Sequence, residues 1–299
     1  MNNTITTIKT LLPDWSLIHI EGPDAGTFLQ NLLTNNVLNM DVTTSKFAGF
    51  CSPKGRLLAS FWVTYFKKDS YDLWISKDLA DEFSKKLKLF RFRLKVEITN
   101  LSDSHNVVGE ISQTPFPFTE TLSCNLPMVS YQNILFYRRL IFSQDSSEIR
   151  QDSLWNLLEV LSGIPRITSN TKDLFVPQMV NFDLIGAVDF KKGCYPGQEI
   201  VARSQYLGTI KRRLKLGYFL SNFSDLVISP GTEVYTDIDQ EQPCGVVVLS
   251  SFDQQENKYY LQLELINSAA DSSIGFSPKF LKLQESIHIQ DPPYPLMVA

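Results

Sequence analysis

The chain is short of most residues and patterns that announce a chemistry. Of its 299 residues only three are histidines, His19, His105 and His288, and each stands alone, so nothing suggests a histidine-based triad. His19 lies in the apolar run Leu17-Ile-His-Ile20 and reads as an ordinary strand histidine with its partner nearby. Four cysteines, Cys51, Cys124, Cys194 and Cys244, are scattered without a CxxC pair. That argues against a disulfide framework or a self-contained zinc site and suits a reducing cytoplasm. There is no phosphate-cradling glycine loop, metal-ligand spacing, nucleophile elbow, internal repeat or low-complexity tract. No apolar run approaches a transmembrane span, and the first residues lack the charged-then-apolar layout of a signal peptide.

Positive charge is not in excess either. Lys and Arg number 28 against 32 Asp and Glu, a net charge of −4 with a pI near 5.5. The chain as a whole is therefore not drawn to nucleic acid or anionic membrane, and an RNA contact needs a local patch. Lys211, Arg212, Arg213 and Lys215 form the best-marked one, which reads equally as a solvated charged face.

What is present is an ordinary globular composition, 43% hydrophobic and 20% charged, long enough for two or three domains. Residues 15–20 alternate like a strand, Gly22-Pro23-Asp24 turns with Asp24 as N-cap, and 25–33 has helical spacing. Strands are expected over 46–51 and 56–66, joined by the turn Ser52-Pro53-Lys54-Gly55, and over 71–75. A helix over 79–90 with lysines on its polar face precedes alternation over 91–98. Strands near 106–111 and 134–142 should flank a proline-bearing loop at 112–128. Asp152 or Ser153 caps a helix through Leu161, and 167–189 is irregular. After Lys215 come short β-rich runs, 216–220, 245–250, 259–266 and 280–283, the pattern of a small C-terminal β-barrel. The class is α+β, with helices on largely antiparallel sheet.

The most informative stretch is Phe190-Lys-Lys-Gly-Cys-Tyr-Pro-Gly-Gln-Glu-Ile-Val-Ala-Arg203. It sets Cys194 between lysines, glycines and an expected helix start, with Pro196 suited to a first helical position. A helix N-terminus and a nearby ammonium, here Lys192, both favour a thiolate. Glu199 and Arg203, at i and i+4, can pair, at a surface value of about 0.3–0.5 kcal/mol. Trp62 and Trp74 lie in apolar strands and read as core. Trp15 and Trp155 suit either a boundary aromatic or the wall of a pocket for a flat ligand.

The cysteine stretch resembles the K-x-G-C-[FY]-x-G-Q-E signature of the YgfZ family of folate-binding proteins. That family assists tRNA modification and iron–sulfur maintenance and is related to the glycine-cleavage aminomethyltransferase. Gly22-Pro-Asp-Ala25 with Phe28-Leu-Gln30 and Thr34-Asn35, Ser52-Pro-Lys-Gly-Arg56, Phe175-Val-Pro-Gln178 with Asn181, and Ile287-His-Ile with Pro293-Tyr294 are similar to further family blocks. The resemblance implies an aminomethyltransferase-like fold: two interwoven α+β subdomains and a C-terminal antiparallel β-barrel around a central pocket. In these terms residues 1–215 form a folate-binding region (roughly 1–100 with 160–215, and 101–160), and 216–299 form the barrel. It further implies tetrahydrofolate, or a one-carbon-substituted form, as cofactor, held by Trp15, Trp155, Asn35, Arg56, Gln178, Asn181, Tyr195 and Gln198. Cys194 would act with Lys192, Glu199 and Arg203 as nucleophile, redox thiol or transient cluster ligand.

By the same alignment Ala59 and Ser60 stand where the transferase carries aspartates, and neither can orient a folate amine or assist proton transfer. The resemblance thus implies a cytoplasmic accessory protein for iron–sulfur enzymes such as those that thiolate tRNA. A folate-dependent one-carbon transferase of unknown substrate is the alternative, and a scaffold docking RNA through 211–215 is a third reading.

Overall fold

The computed structural model describes the chain except for residues 1–6, 43, 118–121, 144–148, 150, 222–225, 240, 270–271, 277–285 and 295–299. The strand expected over 280–283 and most of the N-terminal stretch read for a signal peptide lie outside the described residues.

Three antiparallel sheets form the molecule. The middle sheet orders β3 (Ser45–Cys51), β4 (Leu57–Lys67), β5 (Ser70–Ser76), β2 (Trp15–Glu21) and β6 (Glu97–Asn100). Its central strands are buried on both faces, β5 along its whole length. Short α1 (Ala25–Gln30) and the longer α2 (Lys77–Phe90) cover it, α2 burying Leu79, Ala80, Phe83 and Leu87. That is the helical stripe expected of an amphipathic helix. On β2, His19 meets its cross-strand partner Asp72 at 2.7 Å, so the histidine is a satisfied strand residue as expected.

A second sheet orders β1 (Ile8–Leu11), β7 (Asn106–Ser112), β9 (Ile134–Ser143) and β8 (Ser123–Tyr131). β8 occupies what the sequence presents as loop. Pro127 and Met128 sit where the β8–β9 register shifts, so the proline falls in a bulge and removes no ladder bond from a regular pair. Against this sheet lies α3 (Ser153–Leu161), capped by the Asp152 carboxylate, which accepts from the Leu154 N–H at 2.8 Å. Gly109 in β7 lets the helix approach, since a Cβ there would collide with the Trp155 ring.

The third sheet orders β14 (Ile274–Phe276), β11 (Glu233–Thr236), β12 (Gly245–Asp253), β13 (Lys258–Ile266), β10 (Arg212–Leu220) and β15 (His288–Gln290). Ile287 bridges to Ile274, so the sheet curls until its edges meet. It carries its own core around Phe219, Val234, Leu261 and Leu263, while Leu214, Val248 and Leu249 join the main core. From β13 the buried Gln262 amide donates to the carbonyls of Glu159 and Val160 at 3.1 and 3.0 Å, closing the last turn of α3.

Other expected elements change as well: the helix expected over 25–33 ends at Gln30, and the Asp24 side chain does not cap it. Residues 91–94 form a turn in place of a strand, and Phe92 takes φ +46°. The helix after the cysteine, α4 (Gln198–Tyr206), starts two residues beyond Pro196, because Gly197 at φ +79° occupies its N-cap position.

Candidate functional site at the junction of the sheets

The sequence blocks singled out above converge in space. Thr34 is fully buried: its hydroxyl donates to the Ala187 carbonyl at 2.7 Å and accepts from the Gly49 N–H at 2.8 Å. The next residue, Asn35, sends its amide to the carbonyls of Phe47 and Gly186 at 2.8 and 2.7 Å. These bonds fasten the end of α1 to β3 and to the approach of the cysteine loop. The 52–56 turn is fastened by shape. A Cβ on Gly197 would collide with the Ser52 carbonyl, and one on Gly55 would lie 2.7 Å from Cβ of Ile200. Both glycines have positive φ, which only glycine adopts without strain.

Between these elements opens a cleft of about 590 Å³, lined by Asn35, Lys46, Phe47, Trp62, Gly186 and Tyr294, with Met128 of β8 across it. Phe47 and Trp62 are cross-strand partners with ring centroids 5.0 Å apart. The Tyr294 hydroxyl donates to the Gly163 carbonyl at 2.8 Å and accepts from the Asn181 amide at 3.2 Å. Burial pushes the Tyr294 pKa up, so the phenol stays protonated. Two acceptor oxygens in this neighbourhood, Asn181 Oδ1 and Gln178 Oε1, are buried without a partner among the described residues. Flat apolar walls with a few convergent polar groups are the surroundings of a heteroaromatic ligand.

The cysteine loop departs from the expectation first at Lys192. Lys192 is buried, and its ammonium donates to the carbonyls of Gln30 (2.6 Å), Leu33 and Asn35 (3.0 Å). All three protons are therefore engaged at the end of α1, and Lys192 positions the loop; it is not turned to activating Cys194. Burial lowers its pKa to about 8, and the three carbonyls favour the proton-bearing form. Tyr195 is buried under the same ammonium, with 5.4 Å from Nζ to the ring centroid. Cys194 is exposed and precedes α4 by four residues, whereas Cys51, Cys124 and Cys244 are buried. Burial alone pushes the Cys51 thiol up to about 12. Glu199 and Arg203 are exposed and form no ion pair with each other.

Of the other residues singled out from sequence, Asn35 lines the cleft, Asn181 reaches its Tyr294 wall, and Gln178 is turned to α4. The Gln178 amide donates to the Val201 carbonyl at 2.8 Å, and Asn181, at φ +61°, donates to that of Leu214 at 2.9 Å. Arg56 is exposed and reaches the Leu174 carbonyl, while Gln198 is half-buried. The tryptophans do not share a pocket. Trp155 is fully buried between Gly109 and the Arg138 guanidinium, 5.6 Å from its ring. Trp15 borders a separate polar groove with Asp14, Asn156 and Arg166, the last stacked on it at 5.1 Å. Trp62, read as core, is the tryptophan that lines the cleft. Burial gave no signal for it, because β4 is buried on both faces from Leu57 to Thr64.

Ser60 is buried and its hydroxyl accepts from the Ile167 N–H at 2.8 Å; Ala59 is buried beside it. In the 211–215 cluster three of the four cations are paired, and Lys211 is exposed. Arg212 pairs with Glu264, Arg213 with Asp183 at 2.6 Å, and Lys215 with Asp291 at 2.5 Å. No helix among the described residues is long and apolar enough to cross a membrane, and no three His, Cys, Asp or Glu among them gather as metal ligands.

No family model matches the chain. It is similar to the tRNA-modifying protein YgfZ of Aliivibrio fischeri (strain MJ11), 26% identical over 293 residues, covering 92% of this chain and 88% of the relative. The protein of the same name from Klebsiella pneumoniae (strain 342) is 27% identical over 287 residues, covering 88% and 86%. Among solved structures, the glycine cleavage system aminomethyltransferase T from Bartonella henselae superposes with a TM-score of 0.65 over 90% of this chain and 81% of that one. At 14% identity that likeness carries the fold alone. The chain is thus similar over nearly its whole length to tRNA-modifying YgfZ proteins, and it has the aminomethyltransferase-like fold.

Proposed function

We propose that this protein binds tetrahydrofolate, or a one-carbon-substituted form, in the cleft at the junction of the sheets and supports tRNA modification, thiolation included. It does so in the cytoplasm by serving iron–sulfur enzymes, with residues 1–215 as the folate-binding region and 216–299 as the barrel that closes it. The observation that carries this reading is the cleft itself, aromatic on Phe47, Trp62 and Tyr294, with Asn35 tying it to the cysteine loop. A pterin or aminobenzoyl ring needs flat apolar walls, which Phe47 and Trp62 supply, with polar groups such as Asn35 and Lys46 beside them.

Cys194 supplies the reactive thiol. Of the four cysteines it alone is exposed, and a thiol must be accessible to act as nucleophile, redox group or transient cluster ligand. A cluster held by Cys194 would take its other ligands from the client enzyme. With Ala59 and Ser60 in place of carboxylates, aminomethyl transfer of the glycine-cleavage kind is disfavoured.

The test is a tryptophan-fluorescence titration with tetrahydrofolate, comparing wild type, Trp62→Phe and Cys194→Ser. Saturable quenching that Trp62→Phe loses and Cys194→Ser keeps, with Cys194→Ser failing to support tRNA thiolation in cells, is the expected result. No saturable quenching by folded wild type would defeat the folate assignment. Steady turnover of a methylene- or methyltetrahydrofolate by the purified protein would replace the accessory reading with a transferase.

A further inference from the structure

A second basic stretch lies at the β6 edge of the middle sheet. Between residues 85 and 95 stand Lys85, Lys86, Lys88, Arg91, Arg93 and Lys95, with no acid among them. The β4–β5 turn, bearing Lys67 and Lys68, is held beside it through Gly22. The Gly22 N–H donates to the Asp69 carbonyl at 2.9 Å, and a Cβ on Gly22 would collide with the Lys95 carbonyl. Lys85 is paired with Asp81 at 2.7 Å, and Arg91 donates to the Val96 carbonyl at 3.3 Å. Lys67, Lys68, Lys88, Arg93 and Lys95 are exposed and enter no ion pair among the described residues. The acids at this edge are Glu21, cross-strand from Glu97 and 3.5 Å from His19, with Asp24, Asp69 and Glu97, and Asp24 already accepts from the Lys95 N–H at 2.7 Å.

Exposed rings stand among these cations. Phe92, between Arg91 and Arg93, is 84% exposed at φ +46°. A bulky side chain in the left-handed region is an outlier that surrounding structure must impose, and such strain gathers at functional positions. Phe66, beside Lys67, is 41% exposed. A solvated charged face gives no reason to hold phenylalanines in water.

We infer that this edge is a contact surface for RNA of the tRNA class, its rings stacking on unpaired bases and its lysines and arginines meeting phosphates. The inference rests on the reading that the protein serves tRNA modification and adds to it a direct contact with the RNA. A lipid surface fits less well, because it takes up a continuous apolar stripe. Here the exposed apolar side chains, Phe66, Leu89, Phe92 and Leu94, are interrupted along the chain by Lys67, Arg91, Arg93 and Lys95.

The test is fluorescence anisotropy of labelled bulk tRNA with the full-length protein across a salt series, beside co-sedimentation with phosphatidylglycerol/phosphatidylcholine vesicles. Two variants are compared with wild type: Phe92→Gly, which is at ease at that φ, and Lys67→Gln/Lys68→Gln/Arg93→Gln. Wild type should bind tRNA with strong salt dependence. The triple variant should bind at least about tenfold more weakly, its log–log salt slope falling by about 0.7 for each single-strand phosphate it no longer neutralises. Phe92→Gly should lose about fivefold or more, as removal of one base stack does. Unchanged tRNA affinity in both variants, no tRNA binding by wild type, or retention on vesicles in preference to tRNA would each overturn the inference. Tetrahydrofolate titration of the same variants separates the two readings, since the cleft lies on other residues and should stay intact.

Discussion

Trp155 and Trp62 are both nearly out of water, at 0% and 8% exposure, yet they belong to different kinds of place. Trp155 is closed in between α3 and the second sheet, fitted to a glycine and covered by an arginine. Trp62 forms one wall of an open cleft whose other walls come from distant parts of the chain. Arginine cover and a snug fit mark a ring whose surface is used up inside the protein. A ring of the same burial beside empty volume is available to a ligand. Burial alone does not tell these apart.

The sharpest way to break the comparison is Trp155→Ala, which should cost about 3–5 kcal/mol by urea unfolding, as core tryptophan truncations do. A near-normal midpoint with lost folate quenching would make Trp155 a ligand wall after all. Next in size is Gly197→Ala: an alanine in the left-handed region costs about 1–3 kcal/mol, and here the methyl also meets the Ser52 carbonyl. Lower melting temperature with Cys194 still reactive toward iodoacetamide is the expected outcome. Lys192→Met leaves buried carbonyls at the end of α1 unpaired and should cost about 1–3 kcal/mol. If Lys192 instead activates Cys194, the variant will alkylate more slowly at unchanged stability. Trp62→Phe keeps an apolar ring and should cost less than about 1.5 kcal/mol, with the loss confined to the folate signal.

The smallest effect concerns His19, far from either tryptophan in role. Its hydrogen bond with Asp72 raises its pKa above the ordinary 6.5. A histidine whose folded pKa is raised contributes stability that is fully present below the unfolded value and lost as pH rises through the folded one. Melting temperature should therefore decline from pH 6 upward across that interval, and His19→Gln should flatten this part of the curve. Identical pH profiles for the two proteins would show that the pair contributes nothing measurable.

Much of this architecture was legible from the chain. The Ser52–Arg56 turn, the Asp152 cap and the α2 stripe follow from local chemistry, which needs only a few neighbouring residues. What escaped depends on partners far along the chain. Strand β8 was hidden because its proline sits in a bulge that only the pairing with β9 reveals. The role of Lys192 was misread because the carbonyls that bind it lie about 160 residues earlier. The two basic stretches look alike as sequence. Arg212, Arg213 and Lys215 are neutralised by Glu264, Asp183 and Asp291, while Lys88, Arg93 and Lys95 face water without an ion pair among the described residues, and no local pattern distinguishes those fates.

Tyr294 carries a consequence for how the cleft comes into being. Its hydroxyl closes against residues 131 and 113 positions earlier, Gly163 and Asn181. During translation, therefore, the 163–181 segment and the aromatic floor on β3 and β4 leave the ribosome well before the last wall does. A nascent chain, or one truncated ahead of Pro293, can have its sheets and still lack a finished site. A cut just ahead of Pro293 should therefore open the cleft on its Tyr294 side while leaving the three sheets in place.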